Sequence, residues 1–225
     1  LKFTHIPPDF DLKKLKSKTT QEGRYYWDPK NPDVKWPSIT TVLKEYNKGP
    51  IIAWRKRVGA KEANRISKAA TSRGDSLHKM IERYLQNENP STFKALPKHK
   101  SLFSQTRMQL DRHINNIVLQ EQAVVSPTLK VAGKLDLIAE WDGVLSVIDF
   151  KGSNKRKREE WITNYYMQSS FYAFAYWEQT GILPKQIVVL ITADDFTVIP
   201  YIVNSAKYIE LLKKQIDIWY KRNRK

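Results

Sequence analysis

The chain has 225 residues, 41% hydrophobic and 12% aromatic, the size and balance of one globular domain burying roughly 70–75% of its unfolded surface. Its 39 Lys and Arg against 23 Asp and Glu give a net charge of +16 and a pI near 9.8, a field that attracts polyanions, nucleic acid first and an anionic membrane surface second. No apolar run approaches the ~20 residues that span a bilayer, no basic amphipathic segment reads as a surface anchor, and the absence of cysteine excludes disulfides and thiolate metal sites. No signal peptide is visible, with a removed leader left open because the chain starts at Leu1 rather than methionine, and the lack of cysteine fits the expected intracellular, reducing compartment.

Residues 1–36 read as irregular, interrupted by Pro7, Pro8, Pro29 and Pro32, with aromatics at Tyr25, Tyr26, Trp27 and Trp36. Ser38 is placed to cap a helix over residues 39–43. A helical block over 51–85 is expected to break near Gly59 and Gly74, followed by a loop over 87–97 and a helix over 101–119. Residues 120–151 supply three strands, the last two a hairpin. An aromatic-rich helix over 159–179 ends at Gly181, and strands over 186–192 and 196–203 precede a final helix over 206–220. No internal repeat is present. The expected fold is α/β, a mixed central sheet flanked by helices with an N-terminal helical region. It is a single domain over 1–225, divided into an irregular and helical part (1–118), a catalytic core (119–203) and a C-terminal helix (204–225).

The hairpin carries the chemistry. Asp142-Gly143 is a strong two-residue turn signal, and it sets Trp141 opposite Val144. Counting outward, Asp136 falls opposite Asp149 and Lys134 opposite Lys151. Opposed Cβ atoms lie roughly 4.5–5.5 Å apart, where like charges destabilise, so the acidic pair calls for a cation. Ile148 and Phe150 share the other face with Leu135, Leu137 and Ala139, whereas Ile138 and Val147 line the Asp149 face, which suggests a pocket. Two carboxylates with Lys151 on the same face read as a metal-dependent site that cleaves phosphodiesters. A bare Asp-X-Lys is common, and an acidic pair on an open sheet could simply be solvated; the mixed lining favours the site.

Gly74, His78 and Glu82 recur every four residues on one drifting helical face, and imidazole is a frequent partner of carboxylates at divalent metals. His5, His99 and His113 lack such companions. Gln168 and Tyr172 stand at i and i+4, and a glutamine on an apolar helix needs a hydrogen-bond partner, which an active site could supply. Ser153, Lys155, Arg156, Lys157 and Arg158 follow the hairpin lysine directly and are expected, with Arg73, to contact phosphates.

These motifs resemble the PD-(D/E)XK nuclease superfamily, and within it the RecB-type exonucleases, over roughly residues 37–192. Gly74-x-x-x-His78-x-x-x-Glu82, Gly133-x-x-Asp136 with Ile148-Asp149-Phe150-Lys151, and Gln168-x-x-x-Tyr172 stand in that family's order. Pro37-Ser-Ile-Thr-Thr-Val-Leu43 and the overall order also resemble exonucleases of mitochondrial genome maintenance and of tailed phages. The family often has threonine after the lysine; Gly152 stands there here. The four-cysteine iron–sulfur staple of some RecB-type relatives has no counterpart.

The resemblance implies a restriction-endonuclease-like core and a deoxyribonuclease of DNA replication or repair. In that reading His78, Asp136, Asp149 and the Phe150 backbone carbonyl hold one or two Mg²⁺ or Mn²⁺ ions, with Glu121 a looser fit to a variable acidic position. Lys151 positions water and stabilises charge, while Gln168 and Tyr172 orient Lys151 or the phosphate. The expected partner is DNA with free or single-stranded ends, acted on by a monomer in a phage host's cytoplasm or a mitochondrial matrix. A structure-specific endonuclease and a non-catalytic nucleic-acid-binding protein are the alternatives.

Overall fold

A computed structural model describes residues 2–8, 12 and 14–223. Three strands form a small antiparallel meander: β1 (Lys16–Thr19), β2 (Arg24–Asp28) and β3 (Asn31–Pro37). This corrects the expectation of an irregular N-terminus. Pro32 misled it; it lies on β3, an edge strand, where a missing N–H breaks no ladder.

Helices α1 (Ile39–Leu43), α2 (Lys48–Val58), α3 (Ala60–Leu85) and α4 (Pro97–His113) follow. Ser38 caps α1 as expected, its Oγ accepting the Thr41 N–H at 3.0 Å. The break at Gly59 is present, at φ 82°, but α3 runs through Gly74 without interruption. The helix expected over 101–119 stops at His113, and β4 (Ile114–Gln120) takes over. Leu110, Ile114 and Ile117 all face the same core, so their spacing fits a helix while the β-branched pair favours the strand actually formed.

Beyond β4 come β5 (Ala123–Ser126), β6 (Val131–Lys134), β7 (Leu137–Trp141) and β8 (Val144–Ser153), one strand more than expected before Lys151. The chain ends with α5 (Thr163–Thr180), β9 (Gln186–Ala193), β10 (Val198–Asn204) and α6 (Ile209–Asn223). The central sheet runs β10-β9-β8-β7-β4, parallel only between β8 and β9, so it is mixed, with α5 as the crossover. Helices cover both faces. Leu137, Ala139, Ile148 and Phe150 meet α3 and α4 on one side, while Ile138 and Val147 meet α1, α5 and α6 on the other. This is the α/β, restriction-endonuclease-like arrangement.

The hairpin register is as counted, Trp141 opposite Val144, with Asp142 and Gly143 at φ 52° and 77° as a type I′ turn requires. It departs from the count only at its open end. The ladder stops at Leu137 opposite Ile148, and the chain bends at Asp136. Lys134 consequently pairs with Ala123 rather than facing Lys151, and Leu135 turns to the α5 side instead of joining Leu137.

Gly133 sits where α5 comes nearest the bend. A Cβ there would lie 2.8 Å from Tyr172 Cε1 and 3.0 Å from Ile39 Cγ2. Gly133→Ala is therefore expected to lower stability by about 1–3 kcal/mol through overpacking, read as a fall in denaturation midpoint. An unchanged midpoint would show that the contact relaxes freely.

Candidate active site

The bend at Asp136 assembles the site. Antiparallel pairing between the chain before and after the bend keeps one register: Leu119 faces Ile138 and Ala123 faces Lys134, so Glu121 and Asp136 are cross-strand neighbours, joined by the Glu121 N–H donating to the Asp136 carbonyl at 2.9 Å. Glu121 is the corner residue between β4 and β5, held at φ 52°. Left-handed backbone in a non-glycine residue costs of order 1 kcal/mol and marks a corner that surrounding contacts enforce. On the other side of Asp136, the β7–β8 register brings up Asp149. Three acidic residues thus lie side by side across neighbouring strands.

From α3, His78 leans over this row, its Nδ1 3.5 Å from Asp136 Oδ1. His78, Glu121 and Asp136 each offer a ligand atom within 4.8 Å of the others, a set of imidazole nitrogen and carboxylate oxygens that suits a divalent cation. The second Asp136 oxygen accepts the Phe150 N–H at 2.9 Å, which fixes the carboxylate's rotation. Because N–H and C=O of one strand residue point the same way, the Phe150 carbonyl is directed toward the same cleft.

Asp149 is buried and stands apart from the three-residue set. Its Oδ1 accepts a hydrogen bond from Lys151 Nζ at 2.6 Å, while Oδ2, 2.5 Å from the ammonium, receives no hydrogen bond of acceptable geometry. Its pKa is pushed up to about 6, chiefly by burial and further by Asp136, against the downward pull of Lys151 and His78. Burial likewise raises Glu121, with Lys134, 2.5 Å away, opposing and Asp136 and Glu82 reinforcing. For Lys151, burial acts downward, but Asp149 and Asp136 outweigh it and hold the ammonium above its ordinary value. Carboxylates pushed upward and a buried carboxylate oxygen lacking a hydrogen bond are what a cation would relieve, so these residues fit a divalent metal.

Gln168 and Tyr172 meet as expected, Gln168 Nε2 donating to Tyr172 Oη at 3.1 Å. Tyr172 in turn donates to the Lys134 carbonyl at 2.8 Å and does not touch Lys151. Its burial pushes the phenol well above its ordinary pKa, so it remains a neutral donor pinning the strand that leads into Asp136. Gln168 does share a cavity of about 380 Å³ with Lys151, lined also by Thr40, Asn47, Ile51 and Tyr165. Tyr165, three residues before Gln168 on the same helical face, lies under Lys151 with Nζ 5.2 Å from its ring centre. Sequence reading passed over it, although that spacing pointed to it.

Two expected phosphate contacts are corrected. Arg73 is buried, its Nη1 donating to Asp194 at 3.1 Å, and it lies against Gly152, where a Cβ would stand 3.2 Å from its Nε. Arg73 belongs with Leu77 and Tyr84 on the core side of α3 rather than with phosphate. Ser153 is buried too and spends its hydroxyl on the Lys155 carbonyl at 2.7 Å. Lys155, Arg156 and Arg158 are exposed and Lys157 is half-buried, so the basic run remains accessible as it leaves β8.

The sequence profile of the PD-(D/E)XK nuclease superfamily matches residues 40–200. The chain belongs to the PD-(D/E)XK nuclease superfamily. The bent hairpin with Asp136, Asp149 and Lys151 falls within the matched span. Among solved structures, the chain is similar to a crystal structure from Eubacterium rectale described provisionally as an exonuclease, at 10% identity and a TM-score of 0.44. That match covers 67% of this chain and 65% of the other, so the chain spans just under two thirds of that protein's length. No curated protein matches the sequence. Among the described residues, no helix is long and apolar enough to cross a membrane.

The raised Asp149 pKa has a sign that can be tested on metal-free protein. A carboxyl that holds its proton up to about pH 6 when folded, against ~3.9 unfolded, contributes stability below pH 4 that is lost as pH rises through 6. Asp149→Asn mimics the protonated form. In EDTA its melting temperature, relative to the parent's, should climb between pH 4 and pH 7. A difference that stays flat across that window would show that Lys151 fully compensates the buried charge.

Proposed function

We propose that the protein is a metal-dependent exodeoxyribonuclease that acts on single-stranded DNA ends. The observation that carries this reading is the enclosure of Lys151. Its cavity is walled by α1 through Thr40, Leu43 and Lys44 and by α2 through Ile51. Helix α2 buries none of its own residues and carries Lys48, Arg55, Lys56 and Arg57, a basic arm standing beside the cavity. Such an arm offers phosphate contacts to a strand end entering the cavity. The motif order shared with RecB-type exonucleases supports the same direction.

In this reading His78, Glu121 and Asp136 hold Mg²⁺ or Mn²⁺, with Asp149 and the Phe150 carbonyl completing the set. A bound divalent cation supplies an acidified water and offsets the charge that builds on the phosphate. Lys151, kept protonated by Asp149 and Asp136, orients the attacking water and stabilises developing negative charge; it is a poor general base. Gln168 faces the same cavity and can donate to a phosphate oxygen, while Tyr172 keeps Gln168 and the Lys134 strand in place.

End-labelled linear and closed circular single-stranded DNA, incubated with Mg²⁺, Mn²⁺ or EDTA and run on a denaturing gel, tests the proposal. Linear strands should disappear in a divalent cation and survive in EDTA, blunt duplex should be lost more slowly, and circles should persist. Rapid nicking of circles would make the protein an endonuclease, and inert DNA under every cation would make it a binding protein on a nuclease scaffold.

Lys151→Ala should reduce turnover by about a hundredfold or more, as loss of one transition-state cation does, while affinity for DNA barely changes. Replacing Lys155, Arg156, Lys157 and Arg158 together by alanine should instead weaken binding and flatten its salt dependence, since fewer counterions are released. A salt slope equal to the parent's would mark that run as merely solvated.

A further inference from the structure

The meander β1–β2–β3 ends before the matched superfamily span begins at residue 40, and the site described above uses none of its side chains. Its two faces differ. Tyr26 turns inward and is buried against Val125 and Ala132, with Trp36 and Leu15 beside it. Side chains alternate along a strand, so Tyr25 and Trp27 face outward. The register then sets a lysine next to each ring: Lys16 and Lys35 flank Trp27, and Lys18 flanks Tyr25. Both rings are half-buried, and all three lysines are exposed. Tyr25, Trp27, Lys18 and Lys35 line a concavity of about 690 Å³ whose rim includes Glu22 and Asp33.

The spacing of the rings selects among occupants. Residues i and i+2 on one strand are about 6.8 Å apart, twice the ~3.4 Å between stacked bases of a duplex. Two rings so placed leave room for a flat base against each, which an unpaired strand can offer and a duplex, whose base faces are covered by their neighbours, cannot. Lysines on both sides of Trp27 and on one side of Tyr25 complement a phosphate backbone. Glu22 and Asp33 repel phosphate and can accept hydrogen bonds from base amino groups, which favours bases facing the concavity. The surface also leads to the cleavage cavity. β3 ends at Pro37, Ser38 caps α1, and Thr40 and Leu43 of that helix line the cavity with Lys151. Arg24 on β2 locks the junction, its N–H donating to Thr41 Oγ1 at 2.9 Å and its carbonyl accepting the Ser38 N–H at 2.8 Å.

We propose that the outer face of the meander is a second DNA-binding surface, on which Tyr25 and Trp27 stack consecutive bases of single-stranded DNA while Lys16, Lys18 and Lys35 hold its phosphates. The proposal rests on the nuclease reading only for the direction in which the strand runs, toward the Lys151 cavity. Binding itself needs neither metal nor cleavage.

The test is anisotropy of a labelled oligothymidylate, about 16–20 nucleotides long to exceed the usual site sizes, with the full chain in EDTA. Trp27→Ala should weaken single-strand binding about tenfold, the lower range of a lost base–aromatic stack, and Trp27→Phe should restore most of it. Lys16→Gln, Lys18→Gln and Lys35→Gln combined should lower the salt slope by about 2, and this fully exposed change leaves the fold intact if Trp27→Ala proves unstable on melting. Affinity for blunt duplex should respond to Trp27→Ala much less than affinity for the single strand does. Parental single-strand affinity in Trp27→Ala together with a parental salt slope in the triple variant would overturn the proposal, as would equal losses on single strand and duplex. A parent that binds through this face yet cleaves nothing would sink the nuclease reading and leave the surface standing. Cleavage by a parent whose binding ignores all these changes would do the reverse.

Discussion

Everything around the candidate site follows from the crowding of three carboxylates at a bend in a sheet. Glu121, Asp136 and Asp149 come from neighbouring strands and lie in one row, where bare electrostatics would drive them apart. Each is restrained by a different device. Lys134 bridges Glu121, the Phe150 N–H anchors Asp136, and Lys151 pairs with Asp149. None of these devices satisfies the row completely: Glu121 and Asp149 remain pushed toward protonation. That residual strain is what a divalent cation would offset, since the candidate ligands are gathered without one.

The scaffold around the row reads as support for that crowding. Tyr172 holds the Lys134 carbonyl from α5, and Gly133 has no side chain so that the tyrosine can come close. His78 reaches in from α3 on the opposite side. The two helical layers therefore converge on the bend, and the mixed sheet supplies the parallel β8–β9 pair that lets α5 cross over the site rather than lie beside it.

Much of this was legible from residues alone, for identifiable reasons. Asp142-Gly143 specifies a two-residue turn, and a turn of fixed length propagates its register to Asp149 without further information. Glu121 was only loosely placed, because its position depends on β4, whose apolar residues Ile114 and Ile117 continue the helical spacing of Leu110. The N-terminal strands were missed because Pro29 and Pro32 outweighed an alternation with only one buried aromatic, Tyr26. Arg73 and Ser153 were misread since charge or polarity near a site says nothing about which way a side chain turns. Arg73 shares its helical face with Leu77 and Tyr84, not with His78.

The Arg73–Asp194 ion pair has a mechanical consequence. Between Ala63 and Arg73, α3 has no buried residue, and Arg73 is the point at which the helix is clamped to the end of β9. His78 lies on the clamped side of that point, while α2 and the first turns of α3 lie on the other, joined through Gly59 at φ 82°. The long helix is thus divided into a cantilever and a fixed beam. The imidazole is therefore held to the sheet by the clamped part of the helix, independently of how α2 and the first turns of α3 are placed.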